Sequence, residues 1–161
     1  MAGPEARDDV RIEHPNRAKA ASQATRLIVI VLLVVSAVVL AVISLGAWST
    51  LEGAKALQVV SIGLYLLMAC LVLRWSRGVL PVAGALAIIM LIFAAVSAPQ
   101  WFDRDQPGFT DPALDAGIVG LLTALMVPLQ LLLIAFAASG FRQAWNVEVE
   151  HAAGSRSPAP A

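Results

Sequence analysis

The sequence predicts an all-α integral membrane protein, a four-helix up-down-up-down bundle with both termini on the cytoplasmic side. Three observations support this fold class. Hydrophobic residues make up 59% of the 161-residue chain and charged residues only 14%, too few to coat a soluble globule. The hydrophobic residues form four uniformly apolar blocks rather than amphipathic repeats. Lys and Arg cluster at alternate ends of these blocks.

The first block extends from residue 27 to about residue 48 and contains no charged residue. At 1.5 Å per residue such a helix is about 33 Å long, enough to cross a hydrocarbon core of about 30 Å. A cleaved signal peptide is the alternative. The block is longer than a typical signal h-region, however, and it follows a polar tail, residues 1–26, that contains acids. We therefore interpret it as a membrane span.

Three further apolar blocks are long enough to cross the bilayer, over residues 56–73, 79–98 and 116–139. Ser49–Glu52 fits a capping box before the second span, and Asp111 with Pro112 fits a helix start before the fourth. Pro81 suits the first turn of the third span, and Pro99 suits its end. Because the connections are short, we expect sequential spans to be antiparallel neighbours.

Orientation follows from the positive charges, because Lys and Arg are retained on the cytoplasmic side of a membrane. The connections after the first and third spans contain only Lys55 and Arg104, alongside several acids. The other nine basic residues belong to the tails or to the connection between the second and third spans. Both termini are therefore predicted to be cytoplasmic. Indole rings favour the interface, and the four tryptophans fall at predicted span ends: Trp48, Trp75, Trp101 and Trp145.

No reactive constellation stands out in the spans. Their cores lack Asp, Glu, Lys, Arg and His, which argues against a proton-coupled transporter, a voltage sensor or an intramembrane metalloenzyme. The two histidines, His14 and His151, belong to the tails, and the single cysteine, Cys70, suits apolar packing and cannot form an intrachain disulfide. The sequence therefore predicts no catalytic residue, no cofactor and no metal ligand.

Gln130 is the most informative polar residue, near the middle of the fourth span. It follows Pro128, whose missing N–H and bulky ring should kink the helix or free a backbone acceptor. Gly120, Thr123 and Gln130 share a small-and-polar face typical of a helix–helix contact. We expect Gln130 to hydrogen-bond across the bundle or to another subunit. The alternative is a ligand groove lined by Tyr65, Thr123 and Gln130, although nothing in the sequence shows that these three converge.

The connection over residues 100–116 carries four aspartates against one arginine. Its Asp103 and Asp105 form a D-x-D pair, a spacing of oxygen ligands that could hold a divalent cation. The full calcium-loop pattern is missing, and helix capping accounts for Asp111 and Asp115. We therefore favour a solvated acidic loop or a partner contact over a cation site.

The C-terminal segment, residues 140–161, begins with GFRQAWNVEVEH and ends in a polar, proline-bearing stretch that we expect to be disordered. The first part could extend the fourth helix beyond the membrane and contact a cytoplasmic partner through Arg142, Trp145, Asn146, Glu148 and Glu150. This segment resembles the C-terminal end of certain uncharacterised small four-span membrane proteins of actinobacteria, in the residues Phe141, Gln143, Trp145, Asn146, Val147, Glu148, Val149 and Glu150. The resemblance implies a bacterial plasma membrane and no particular activity.

Three functional classes remain. The first is a non-enzymatic interaction or accessory subunit that packs in the lipid bilayer against another membrane protein or against its own copies. The second is an oligomeric transporter or channel component for a neutral or lipidic solute. The third, the least favoured, is a lipid-acting enzyme that uses Asp103, Asp105 or Glu148. A nucleic-acid partner is not expected, because acids interleave with the basic residues of the N-terminal tail and the net charge is zero.

Overall fold

The structure is a computed structural model that describes residues 10–13, 15–51, 53–104, 112–145 and 147–152. Short elements flank four long helices. Strand β1 and helix α1 come first, and strand β2 follows the last helix. In chain order the elements are β1 (Val10–Glu13), α1 (Pro15–Ala18), α2 (Ala20–Gly46), α3 (Lys55–Leu73), α4 (Val79–Phe102), α5 (Ala116–Arg142) and β2 (Val149–Ala152).

The four long helices confirm the predicted all-α membrane bundle. Each is long and apolar enough to cross a membrane, so the chain is a multi-pass membrane protein. Connections α2–α3 and α4–α5 lie at one end of the bundle, which we call the loop end. The start of α2, the α3–α4 connection and the end of α5 lie at the other, which we call the termini end.

Several helix boundaries differ from the sequence prediction. The helix of the first span begins at Ala20 rather than near residue 27, because Ser22 and Thr25 in its first turns are buried in the bundle. Helix α4 continues through Pro99 to Phe102, so the expected end at Pro99 is wrong. The extra turn buries Trp101, which is 8% exposed.

The predicted caps also need correction. Helix α3 starts at Lys55 with Ala54 as its N-cap and no side-chain hydrogen bond there, so Ser49 is not its cap as predicted; Glu52 lies outside the described residues. Thr50 instead donates its hydroxyl proton to the carbonyl of Ala47 (2.8 Å). At α5 the N-cap is Asp115, whose carboxylate accepts from the N–H groups of the second and third helical residues. Asp111 lies outside the described residues.

The helices do not pack evenly. Helix α4 lies against α5 over most of its length, while α2 packs against both α3 and α5. Helices α3 and α4 make few contacts, although they are consecutive in the chain. Sequential spans are therefore neighbours as predicted, but the α3–α4 seam is loosely packed and stays open on one side of the bundle.

Small residues allow the close approach of α4 and α5. Helix α4 buries an alanine stripe against the bundle: Ala83, Ala87, Ala94 and Ala98. On α5, Gly120 lies so close to the Phe102 ring that a Cβ would stand 3.0 Å from its Cε1 atom. Lipid supplies no hydrophobic drive for helix association, so dispersion contacts between closely packed backbones replace it. The outward faces of all four helices are apolar and exposed, as lipid contact requires.

At the termini end the chain folds back on itself. Helix α5 stops at Arg142, so the expected helical extension through residue 151 is wrong. Strand β2 instead pairs antiparallel with β1, with Ile12 opposite Glu150. Ala144, at φ 50°, turns the backbone between the helix and the strand. The two tails, which the sequence treats as separate segments, are thus joined.

Candidate functional site

Three polar side chains meet in the middle of the bundle, one each from α2, α3 and α5. Ser36, Tyr65 and Gln130 are all 0% exposed. The Tyr65 hydroxyl donates to Gln130 Oε1 at 2.7 Å, and Gln130 Nε2 donates to Ser36 Oγ at 3.1 Å. Gln130 Nε2 also lies 4.0 Å from the sulfur of Met126, one turn earlier on α5. We call Ser36, Tyr65 and Gln130 the polar cluster.

The polar cluster is a closed set of hydrogen bonds. Gln130 uses its carbonyl oxygen on Tyr65 and its amide nitrogen on Ser36 and Met126, so the amide that the sequence singles out is engaged within the chain. Interhelical hydrogen bonds in membranes contribute on average about 0.6 kcal/mol and at most about 1.7 kcal/mol each. The arrangement therefore holds three helices in one register, with both ends of the Gln130 amide engaged within the chain.

The other residues named as possible packing or ligand contacts do not join the polar cluster. Thr123 is buried, but its hydroxyl donates to the Val119 carbonyl of its own helix at 2.7 Å. Pro128 is exposed on the lipid side of α5, and the helix continues through it. Gly120 contacts Phe102 rather than the polar cluster. The structure thus brings Tyr65 and Gln130 together and leaves the other three residues apart from them.

Toward the loop end the open α3–α4 seam widens into a cavity of about 630 Å³. Its deep part is bordered by apolar side chains, among them Leu40, Met90 and Met126. Its mouth is more polar and includes Ser97 and Arg104. Because Met126 also contacts Gln130, the cavity floor lies directly above the polar cluster.

The acidic connection shows no metal geometry in its described part. Asp103 is exposed and follows the last residue of α4, while Asp115 is engaged as the α5 cap. Asp105 and Asp111 lie outside the described residues. Over the described ranges, no group of three or more His, Cys, Asp and Glu side chains is placed to hold a metal ion. The described residues therefore give no support to cation binding by Asp103 and Asp105.

A second cluster closes the termini end around Trp145. The Trp145 ring is 0% exposed and meets the Trp75 ring edge to face, with 5.6 Å between centroids. The Arg26 guanidinium lies 4.3 Å from the Trp75 centroid and donates to the carbonyls of Val72 and Leu73 at the end of α3. A charged side chain near the first span thus caps the helix next to it.

The N-terminal segment is fastened to the same place. Arg17 Nε donates to the Trp145 carbonyl at 3.1 Å, and Asn16 Nδ2 donates to the Ala144 carbonyl at 3.0 Å. Gln143 connects both sides, because its amide donates to Thr25 on α2 at 2.8 Å and its carbonyl accepts from Trp145 Nε1 at 2.9 Å. The N-terminal and C-terminal segments therefore form one clasp, which we define as Asn16, Arg17, Arg26, Trp75 and Gln143–Trp145.

The proposed partner-contact residues of the C-terminal segment have different surroundings. Trp145 is buried in its own chain, so its ring is not available to a partner. Arg142 and Glu148 are exposed. Glu150 belongs to strand β2, and only its backbone is described. Asn146 lies outside the described residues. A partner at this end would meet Arg142, Glu148 and the neighbouring exposed side chain of Val147.

Sequence reasoning missed Ser36 and the clasp. Ser36 shares its apolar span with one other serine, Ser44, and only the depth of Ser36 in the membrane distinguishes it. Ser36, Tyr65 and Gln130 each lie within three residues of the midpoints of their helices. Equal depth is what allows polar side chains on neighbouring helices to meet. Nothing in the chain signals comparably that Arg17 and Trp145, 128 positions apart, would join.

Comparison with known proteins gives no indication of function. No known protein family, curated protein or solved structure matches this chain. The residues described above therefore carry the functional argument: a closed polar cluster, a cavity at one seam, and a clasp that joins the two terminal segments.

Proposed function

We propose that this protein is a non-enzymatic interaction subunit, which packs in the bilayer against another membrane protein or against copies of itself. The observation that carries the proposal is the closed polar cluster. Its side chains bond one another across three helices, so the deepest polar groups of the described chain serve assembly rather than chemistry. The bundle is thus a preassembled scaffold with largely apolar outer faces, suited to lateral binding.

The charge distribution supports a cytoplasmic location for both termini. The termini end carries Arg17, Lys19, Arg26, Arg74 and Arg77, whereas Lys55 and Arg104 are the basic residues placed at the loop end. Positive residues are retained on the cytoplasmic side, so the clasp faces the cytoplasm of a bacterial plasma membrane in this proposal. A soluble or peripheral partner would then meet the exposed Arg142 and Glu148.

The test is chemical crosslinking in intact membranes, followed by affinity purification in mild detergent and mass spectrometry. We expect one partner, or a defined oligomer of the chain, in a fixed ratio. Deleting residues 141–151 is a poor probe, because it removes Trp145 from the bundle. The double substitution Arg142→Ala with Glu148→Ala leaves that ring in place and tests the exposed surface. Recovery of the chain as a monomer without any crosslinked protein would contradict the proposal.

The cavity favours a second candidate, a component of an oligomeric transporter or channel for a neutral or lipidic solute. Its volume of about 630 Å³ is within the roughly 300–1,000 Å³ range of small-molecule pockets. Flux of such a solute in proteoliposomes, abolished by substitution at the cavity floor (Met126→Trp) but not at exposed Leu125 (Leu125→Trp), would favour transport over the accessory role.

A further inference from the structure

The α3–α4 seam contains a cavity whose dimensions match a single lipid leaflet. Its lining extends on α4 from Met90, at the middle of the helix, to Arg104 just beyond the helix end. Fourteen residues at 1.5 Å each correspond to about 21 Å. Half of a hydrocarbon core of about 30 Å plus the headgroup region has a similar depth. The cavity therefore reaches from the bilayer midplane to the loop-end surface.

The polarity of the lining changes along this depth. Near the midplane the walls include Leu40, Met90 and Met126, which are buried and apolar, and Thr123, whose hydroxyl is bonded within its own helix. Near the surface they include hydroxyl, amide and guanidinium groups, from Thr50, Gln100 and Arg104. The polarity of a lipid molecule changes with depth in the same way, from an apolar tail inside the membrane to a polar headgroup at the interface. The gradient favours an amphipathic occupant over a wholly apolar or wholly polar one.

Ser61 lies at an intermediate depth in the cavity, between its apolar floor and its polar mouth. Its side chain lines the cavity and is only 2% exposed, yet no hydrogen bond joins its hydroxyl to another residue in the part of the chain that the structure describes. Ser61 lies six residues into α3, about 9 Å below the helix start. An ester carbonyl at this depth would accept the hydroxyl proton, and Gln58 lies one turn nearer the surface.

The mouth of the cavity suits a phosphate within a headgroup of no net charge. Arg104 borders the mouth, with its guanidinium 5.1 Å from the Trp101 ring centroid. Guanidinium has five N–H donors in a planar fork, so it can bind a phosphate in addition to partners within the chain. The adjoining connection carries four aspartates. Of these, Asp103 is exposed next to Arg104 in the chain, where its carboxylate disfavours an anionic headgroup and favours one that also carries an ammonium group.

We propose that this cavity is a specific site for a zwitterionic glycerophospholipid of the loop-end leaflet. One acyl chain lies between α3 and α4 and ends near Met126, the ester region meets Ser61 and Gln58, and the phosphate meets Arg104. The bound lipid completes the seam where the two helices fail to pack. This inference goes beyond the interaction role and does not depend on it, because the site lies within one chain.

Native mass spectrometry of the purified full chain tests the site, with phosphatidylethanolamine and phosphatidylglycerol added in equal amounts. We expect one phosphatidylethanolamine retained per chain, in preference to phosphatidylglycerol. Ser61→Leu places a larger apolar group in the cavity and removes the hydroxyl, so lipid retention should fall at least tenfold. Ser139→Leu, at an exposed position on α5, is the matched control and should retain the lipid.

Circular dichroism and size-exclusion chromatography establish that each variant is folded. Gln58→Leu replaces Ser61→Leu if the latter does not fold, with the same expected loss. Equal retention by Ser61→Leu and Ser139→Leu would overturn the proposal, because it would indicate lipids bound around the whole bundle. Preference for phosphatidylglycerol, or copurification of a phosphorus-free lipid in its place, would also overturn it. None of these results depends on whether a protein partner is found.

Discussion

Replacing Gln130 by leucine removes the hub of the polar cluster while nearly preserving side-chain volume. The change breaks the bonds to Tyr65 and Ser36, whose hydroxyls then remain buried among apolar atoms. At an average of about 0.6 kcal/mol per interhelical bond, the bundle should lose about 1.2 kcal/mol, with an upper limit of about 3.4 kcal/mol. Tyr65→Phe breaks one bond only and should cost about 0.6 kcal/mol.

The assay is reversible unfolding of the bundle in mixed detergent micelles, followed by the loss of tertiary structure. The informative comparison is a double-mutant cycle between Gln130→Leu and Tyr65→Phe. In the Gln130→Leu background Tyr65→Phe should cost nothing, because the tyrosine hydroxyl has already lost its acceptor. Ser36→Ala breaks the other bond of Gln130 and should also cost about 0.6 kcal/mol. Ser139→Ala is its control, since Ser139 bonds its own helix at an exposed position. Additive effects of Gln130→Leu and Tyr65→Phe would refute the bonded cluster.

Four further outcomes are expected. Trp145→Ala empties the largest buried site of the clasp and should destabilise the bundle by about 3–5 kcal/mol, measured by the same unfolding assay. Gly140→Val should cost about 1–3 kcal/mol, because its Cβ would stand 3.0 Å from the Trp145 ring and 3.1 Å from Leu80; an unchanged stability would refute this packing. Asp115→Ala removes the α5 cap and should cost about 1 kcal/mol, whereas Asp115→Asn should retain most of it. Replacing Arg74 and Arg77 by glutamine should weaken or invert orientation in reporter fusions, and an unchanged topology would show that the tail charges suffice.

The four spans were predictable because length and uniform apolarity dominate the energetics of membrane insertion. Their precise ends were not. Pro99 is a sound signal for a helix end, yet α4 continues for one more turn because this turn buries Trp101. Ser49–Glu52 has the pattern of a capping box, but Thr50 bonds back to Ala47 and α3 starts later. Local signals near a helix end are worth about 1 kcal/mol, so packing of one large side chain can outweigh them.

The candidate site was only partly predictable. Gln130 stands out because an amide in a span needs a partner, and Tyr65 was named with it. Their contact depends on how far α3 and α5 are rotated about their own axes. That rotation is set by packing against the other helices and cannot be read from the sequence of one span. The open α3–α4 seam is a similar case, because short connections predict neighbours but not how closely they pack. The clasp joins positions more than a hundred residues apart, beyond the reach of local patterns.

The central claim, lateral binding of the bundle to another membrane protein or to itself, is tested most directly by photocrosslinking within the bilayer. A photoreactive phenylalanine is placed at one exposed mid-span residue of each helix in turn: Val38, Leu67, Ile89 and Leu132. We predict that positions on one face of the bundle give a protein adduct of the same mass, whereas positions on the opposite face give lipid adducts alone. Lipid adducts alone from all four positions would contradict the account.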